Sequence, residues 1–561
     1  MTLQFDDDKI NQKISDVKGR EEDAAVAAKA ADEGLPFITL YPNTVETDAL
    51  RLIPEEKARE AKILLFKLAD KTLLFAVTDP KMTAATEIIR GLREAGYDLV
   101  AHVISEKNFE QCIILYKDLS FAKTSSSGSV GITAESLAKY VSKIKTVGDV
   151  KKTLEEISAL KDVRLSETLE IILAGAIATM ASDVHIEPEE HNSRLRFRLD
   201  GMLYDVFVVD TKVFSLLLSR IKLLSSLKLN IKGAGQDGRF SIVAGEEEIE
   251  VRTSVVPGSF GESIVLRILN PKSIAVSLET LGMNKKILPI IQNLISKPQG
   301  MILTTGPTGS GKTTTLYTFL RTVYQPEVKI VTIEDPVEYK LPGIVQTQAD
   351  PNKGYTFLEG LRSALRQDPD IIMIGEIRDN ETARVAIDAA LTGHLVFSTL
   401  HTNNAAGAFT RLIDLGVNPK VLTSAVMAAM AQRLVRKLCE SCKKEVPMQG
   451  EVKTKIEKII DGMKKKIEVE YNEKMWVPVG CRECNGIGYK GRIGVYEAIL
   501  SNAEIENVVR QSPSEREIKK AAETQNILTM REDGVLKILN GTTSVQELER
   551  VVDLNDYGFE T

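Results

Sequence analysis

Eight consecutive residues carry the plainest chemical signal in this chain: Gly306-Pro307-Thr308-Gly309-Ser310-Gly311-Lys312-Thr313. Their spacing, G-x-x-x-x-G-K-T, is that of a loop that cradles phosphate. The glycines let the backbone curl until successive N–H groups point inward at phosphate oxygens. A helix that starts at the end of the loop adds its positive N-terminal dipole. Lys312 is then placed to reach the β- and γ-phosphates of ATP, and Thr313 to set its hydroxyl on Mg²⁺, with Thr314 following it. The bland alternative is a chance glycine-rich turn. Against it stand the apolar strand Met301-Ile302-Leu303-Thr304-Thr305 before the loop and the helical composition of Thr313 to Tyr324 after it.

A phosphate loop binds nucleotide, but hydrolysis also needs acids near the Mg²⁺ and the attacking water. Two acidic clusters follow apolar runs. Val328 to Ile333 leads into Glu334-Asp335-Pro336-Val337-Glu338, and Asp370 to Gly375 leads into Glu376. Ligands of an open α/β sheet bind beyond the carboxyl ends of its strands, so both clusters should converge on the phosphate loop. Glu376 is the candidate for polarising water. Gly375 stands where many such ATPases place a metal-holding Asp, which leaves metal contact partly to Glu334, Asp335 or Glu338. The apolar stretch Leu395 to Leu400 is flanked by His394 and His401. His401, at its carboxyl end, is the better placed to sense a γ-phosphate; a structural histidine is the competing account for His394.

Two further pairs have metal-ligand spacing. Cys439-x-x-Cys442 and Cys481-x-x-Cys484 are separated by 38 residues, positions 443–480. Each pair can form a tight knuckle, and four thiolates suit tetrahedral, structural Zn²⁺ with no open position for catalysis. Disulfides or idle thiols are the alternative. Cys112, alone in an apolar run, reads as core.

The elements that must position these residues can be read coarsely. Residues 1 to about 33 are charged and Ala-rich, a surface helix. Ile63-Leu64-Leu65-Phe66 and Leu73-Leu74-Phe75-Ala76-Val77 bracket a polar turn and read as a hairpin. A helix follows from Ala84 to Ala95. Small polar residues at 124–131 form a linker. Period-two alternation in Arg194 to Leu199 and Glu248 to Arg252 turns Leu195, Phe197, Leu199, Ile249 and Val251 inward. Beyond Pro271 strands and helices alternate, the pattern of a parallel sheet covered by helices. The fold class expected is α/β, with domains at 1–123, 132–280, 281–437, 438–492 (the cysteine module) and 493–561, the last mainly helical.

Composition bounds the rest. Of 561 residues, 43% are hydrophobic and 27% charged, which gives each domain an ordinary core. A net charge of −6 and a pI near 5.7 confer no general attraction to DNA or anionic lipid. The start Met1 to Asp8 is acidic, so no secretory leader is expected. The most apolar run, Ile171 to Ala181, is too short to span a bilayer and reads as a buried helix. Paired cysteines without an export signal fit the cytoplasm.

Taken together, the phosphate loop, Ile333 to Glu338, Asp370 to Asp379 and Thr392 to Asn404 resemble the four signature boxes of the secretion ATPases of type II secretion and type IV pilus assembly. Ser182 to Pro188, Arg198 to Gly201 and Gln236 to Arg239 resemble recurring stretches of the domain before that core, and Cys481 to Arg492 resembles its metal subdomain. The resemblance covers roughly residues 150 to 561. It implies a RecA-like core, a preceding PAS-like α+β domain, a ring of six subunits with ATP between two domains, and a membrane platform protein as partner. It also implies arginines directed at the γ-phosphate, with Arg239 the first candidate and Arg198 and Arg252 behind it. Family members that retract pili lack the tetracysteine insert, so its presence favours assembly or secretion. Some relatives bind a cyclic dinucleotide through an N-terminal domain; residues 1–123 lack the repeated Arg-Leu-Gly motif, so no such ligand is expected. A nucleic-acid translocase is the rival of another class, disfavoured by the acidic pI and the lack of a basic, aromatic-studded stripe. A nucleotide-binding regulator without hydrolysis is disfavoured by Lys312 and Glu376.

Overall fold

The computed structural model describes residues 23–32, 34–41, 44–50, 52–69, 72–116, 134–159, 165–244, 247–274 and 276–555. It divides into two compact units. One holds Met1–Lys145, Asp149–Phe197 and Leu203–Ile268; the other holds Thr146–Gly148, Arg198–Met202 and Leu269–Thr561. The linker expected at 124–131 lies outside the described residues.

The first unit contains two sheets. The smaller has strands β1 (Ile63–Ala69), β2 (Thr72–Val77) and β3 (Asp98–Val103) in the order β1-β2-β3. β1 and β2 form the expected antiparallel pair, and β3 joins β2 in parallel through the crossover helix Thr83–Glu94. Cys112 is buried in this core, and burial pushes its thiol up to about 11. The larger sheet has β4 (Asp183–Pro188), β5 (Ser193–Leu199), β6 (Met202–Val209), β7 (Gln236–Ala244), β8 (Glu247–Gly258) and β9 (Gly261–Leu269), in the order β6-β5-β4-β9-β8-β7. Its alternating strands bury Leu195, Phe197, Leu199, Ile249 and Val251, as their period requires. The apolar run near Ile171 lies in the buried helix Leu165–Ala178.

The second unit is built on a seven-stranded sheet of β10 (Gly300–Thr305), β11 (Ile330–Glu334), β12 (Val345–Gln348), β13 (Ile371–Ile374), β14 (Leu395–Leu400), β15 (Val426–Leu438) and a late strand, β18 (Tyr489–Leu500). Its order is β12-β11-β13-β14-β10-β15-β18. All neighbours are parallel except β18, which runs antiparallel to β15. This is the RecA-like parallel core the sequence led one to expect. Every residue of β10, β11, β13 and β14 is buried, because helices cover both faces of such a sheet and leave no polar side. Between β15 and β18 the chain forms the two-stranded ribbon β16 (Lys444–Pro447) and β17 (Lys474–Val477). β18 runs through position 492, where the sequence suggested a domain boundary. Four short helices close the chain, from Ala503–Val509 to Val545–Glu549. Among the described residues no helix is long and apolar enough to cross a membrane.

Candidate functional site

The phosphate loop leaves the end of β10, which is inserted between β14 and β15, and runs into the helix Lys312–Val323. Two glycines in it are dictated by space and by backbone. A methyl group on Gly306 would come within 2.7 Å of both the Gln432 carbonyl and Ser310 Oγ; Gly311 caps the helix at φ +89, in the left-handed region. Lys312 curls back over the loop, its Nζ donating to the carbonyls of Gly306 (2.7 Å) and Pro307 (3.2 Å). Burial lowers its pKa and the Arg433 charge lowers it further, while Glu376 opposes both. Pro307, Thr308, Gly309 and Thr313 are exposed, Thr314 is half-buried, and Ser310 Oγ is buried with no hydrogen-bond partner. A narrow amide-lined curl, an unsatisfied hydroxyl and an accessible Thr313 fit a polyphosphate with its Mg²⁺.

The acids stand at or just beyond the ends of β11 and β13, which β14 separates from β10. Ser398 and Thr399 of β14 donate through their hydroxyls to the carbonyls of Ile374 (2.8 Å) and Gly375 (2.7 Å), which stitches β14 to the end of β13. Gly375 N–H donates to the Ile333 carbonyl and Ile377 N–H to the Thr399 carbonyl, so both neighbours of Glu376 are fixed. Its carboxylate is mostly buried, ion-paired with Arg378, and 3.5 Å from His401 Nε2. His401 is held in turn by the next residue. Thr402 N–H donates to Thr305 Oγ1 (2.9 Å), lacing the end of β14 to the last residue before the phosphate loop. His394 sits at the other end of β14, with Nδ1 3.0 Å from the Ala389 carbonyl, a structural contact.

Glu334 behaves differently from the other acids. It is buried to 3% exposure, and its carboxylate accepts from Thr332 (2.6 Å), Gln346 Nε2 (3.1 Å) and the Tyr317 hydroxyl. Burial raises its pKa against those three donors. Tyr317 lies on the helix after the phosphate loop, and its hydroxyl also accepts from Glu338 N–H at 3.3 Å. Glu334 thus ties that helix to the segment carrying Asp335 and Glu338, with its own oxygens occupied. Asp335 is exposed and close enough to act on the Arg378 charge; Glu338 is half-buried. Sequence reasoning missed Arg378, Tyr317, Gln346 and the pair Gln432-Arg433. Only the last left a trace: two polar residues that end the apolar run Val426 to Ala431 within one strand.

Arg239 belongs to the other unit, exposed on edge strand β7 directly opposite Arg252 of β8. Arg252 contacts Glu250 at 3.2 Å, and Arg198 Nη1 lies 3.4 Å from the Gly201 carbonyl.

All four paired cysteines meet. Cys439 and Cys481 sulfurs are 3.8 Å apart, as are Cys442 and Cys484, and Cys481 to Cys484 is 3.7 Å. A tetrahedron with Zn–S bonds of about 2.3 Å has edges of about 3.8 Å, so the four sulfurs already stand at ligand spacing. Backbone N–H groups of Gly480, Cys481 and Gly488 donate to Cys442 or Cys484 sulfur at 3.1–3.3 Å. Burial works to raise the Cys484 thiol, yet these N–H donors and its neighbouring thiols bring it down to about 7. Such donors stabilise thiolates, the form that binds metal.

A parallel core with a glycine-rich phosphate loop and a carboxylate facing it defines a nucleotide-hydrolysing P-loop enzyme, and its separate four-sulfur cluster could hold zinc. Its residues 159–550 match the family model for Type II/IV secretion system protein, and residues 33–120 match the MshEN domain. The chain belongs to the Type II/IV secretion system protein family, and it is an ATPase. It is similar to Type II secretion system protein E of Aeromonas hydrophila, 43% identical over 395 residues, 70% of this chain and 77% of that one. It is also similar to the Type IV pilus assembly ATPase PilB of Myxococcus xanthus strain DK1622, 36% identical over 518 residues, 92% and 88% of the two chains. Among solved structures, the Legionella pneumophila ATPase DotB superposes with TM-score 0.49 at 21% identity, over 68% of this chain and 94% of that one. The MshEN match assigns the first small sheet, in the domain expected at 1–123, to a domain family.

Proposed function

We propose that this chain is a hexameric motor ATPase that works at the cytoplasmic face of the inner membrane and couples ATP hydrolysis to type IV pilus assembly. The observation that carries the reading is the convergence of Lys312 and Glu376 at one loop, in a chain that also keeps the four-cysteine cluster. In this reading the amides of Gly306 to Gly311 hold the phosphates, and Lys312 turns its ammonium from the loop carbonyls to the β- and γ-phosphates. Glu376 orients and polarises the attacking water, released from Arg378 as the nucleotide neutralises its surroundings. His401 senses the γ-phosphate beside Glu376. Thr313 would hold Mg²⁺, with Asp335 and Glu338 nearby and Glu334 bracing them; the ion would supply neutralisation of phosphate charge. Arg239 supplies the guanidinium for the γ-phosphate. Its exposure on an edge strand leaves the guanidinium accessible for this role. Cys439, Cys442, Cys481 and Cys484 would hold Zn²⁺ as a brace. The partners are five further copies and an inner-membrane platform protein; nucleic acid is not a ligand, and membrane contact comes only through partners.

The type II secretion motor is the second reading, favoured by the 43% identity to a protein of that name. Deleting the gene in its host and restoring it with the chain separates the two. Loss and return of surface pili, with exoproteins unaffected, supports pilus assembly. Loss of exoproteins with pili intact overturns it in favour of secretion.

A further inference from the structure

Strand β15 is apolar from Val426 to Ala431 and then presents Gln432 and Arg433 beside the phosphate loop. Gln432 is fully buried, and its Nε2 donates to the Ser310 carbonyl at 2.7 Å. Its Oε1 is buried with no partner. Arg433 is half-buried, with Nη1 donating to the Gln432 carbonyl (3.0 Å) and Nη2 to the Asn403 carbonyl (2.9 Å). A methyl group on Gly306 would stand 3.1 Å from Nη1, so the guanidinium touches the first residue of the loop. Gly306 is also the residue whose carbonyl receives Lys312 Nζ. Two cations therefore meet at one end of the loop.

Carbonyl partners hold the guanidinium in place without neutralising it. Among the described residues no carboxylate forms an ion pair with Arg433. Glu497, the acid that acts on it through space, spends its two oxygens on Ala405 N–H (2.8 Å) and Met530 N–H (3.1 Å). A partly buried, uncompensated arginine beside a lysine is unfavourable on its own. It becomes favourable when a polyanion arrives, because a guanidinium forms short, charge-assisted bonds to phosphate oxygens.

We propose that Arg433 is a nucleotide-binding residue that contacts the terminal phosphate of ATP from the β15 side, and that Gln432 is the positioning residue that ties it and the loop together. The inference rests on reading residues 306–313 as the nucleotide site. The terminal phosphate is the target because Arg433 stands with Lys312, the residue that addresses the β- and γ-phosphates. A purely structural Arg433 would staple the Asn403 loop to β15 and treat ATP and ADP alike.

The test is calorimetric titration of the full-length chain with Mg²⁺–ADP and with the Mg²⁺ complex of the non-hydrolysable β,γ-imido analogue of ATP. Arg433→Gln is expected to weaken the analogue about tenfold or more and ADP less than about threefold, the loss of one charge-assisted phosphate contact. Equal weakening of both ligands, or of neither, overturns the proposal. Arg433→Lys keeps the charge and should lose less of the analogue than Arg433→Gln, with the same bias against it over ADP. It decides the matter if melting shows Arg433→Gln to be unfolded; an unchanged ratio of the two affinities in Arg433→Lys then overturns the idea. Lys312→Ala is the separate control. If it binds both nucleotides like the parent, the reading of the loop itself fails.

Discussion

Glu376 is a carboxylate held between cations, and its chemistry depends on which of them it faces. Arg378 is its ion-pair partner, Lys312 feels its charge, and His401 stands 3.5 Å away. Replacing it with Gln keeps the shape and removes the charge proposed to polarise water. Glu376→Gln should lower kcat by a factor of about 10² to 10⁴, the usual contribution of a positioned base, while nucleotide affinity changes by only a few-fold. Phosphate release and direct nucleotide titration measure the two separately; full turnover in the variant would remove Glu376 from the mechanism. Tyr317 offers a quieter test. Its hydroxyl serves Glu334 and Glu338 N–H in a buried network, so Tyr317→Phe strips a donor from a buried carboxylate. A stability loss of about 1–3 kcal/mol in denaturant unfolding is expected. These residues were not equally legible. Lys312 and Thr313 follow from spacing within one turn, and Glu376 from its place at the end of an apolar run. Glu334 looked in sequence like its acidic neighbours, because nothing local says that Tyr317 and Gln346 will enclose it. Arg433 contacts a glycine more than a hundred positions away, and no local pattern encodes that.

At the scale of elements, β15 links the nucleotide loop to both the cysteine cluster and the C-terminal helices. Its end is clamped by Glu547, a fully buried carboxylate that accepts from Arg436 Nε (2.9 Å) and Nη2 (2.6 Å), with Arg550 adding a contact at 2.7 Å. Arg436 also stacks 4.2 Å above the Tyr489 ring of β18. Burial works to raise the Glu547 pKa, but Arg550 and Arg436 outweigh it and hold it below the usual range. A carboxylate depressed in the folded state contributes stability above its unfolded pKa of about 4.3 and loses it as pH falls through the folded value. Glu547→Ala should therefore cost about 3–5 kcal/mol at neutral pH, since it removes the carboxylate that compensates the mostly buried Arg436. The difference from the parent should shrink as melts are repeated below about pH 4; a difference independent of pH would mean that packing, not charge, is what Glu547 supplies. The cysteine cluster allows a second test here. Metal analysis of purified protein should give one zinc per chain, and Cys481→Ser should lower both that stoichiometry and the melting temperature. The alternating strands, the hairpin at β1 and β2 and the parallel core were readable because burial on one face or two leaves a period in the sequence. The pairing of β18 with β15 was not, since the cysteine module is inserted between the two strands.

The proposed motor role requires the whole molecule to convert one bond cleavage into a movement larger than the site, and net charge bears on what such a motor acts on. A net charge of −6 gives the chain no general attraction to nucleic acid, so duplex or single-stranded DNA should leave ATP turnover unchanged. The proposed motion runs between copies of the chain and against a protein partner. Arg239 is where this reading is most exposed to test. It stands on an edge strand, across from a second arginine, in the unit that does not contain the phosphate loop. If it neutralises the γ-phosphate, Arg239→Ala should keep the mass of six chains in sedimentation equilibrium and keep ADP binding. Turnover should fall by about 10³, the scale on which an arginine finger acts. If assembly persists and turnover is untouched, the guanidinium has no part in the reaction. If the parent sediments as one chain whatever nucleotide is present, the ring is wrong and Arg239 needs another account. A variant that assembles, binds and stalls would join the edge strand to the phosphate loop by function alone, since only a residue acting on the reacting nucleotide can stop turnover while leaving both assembly and ADP affinity in place.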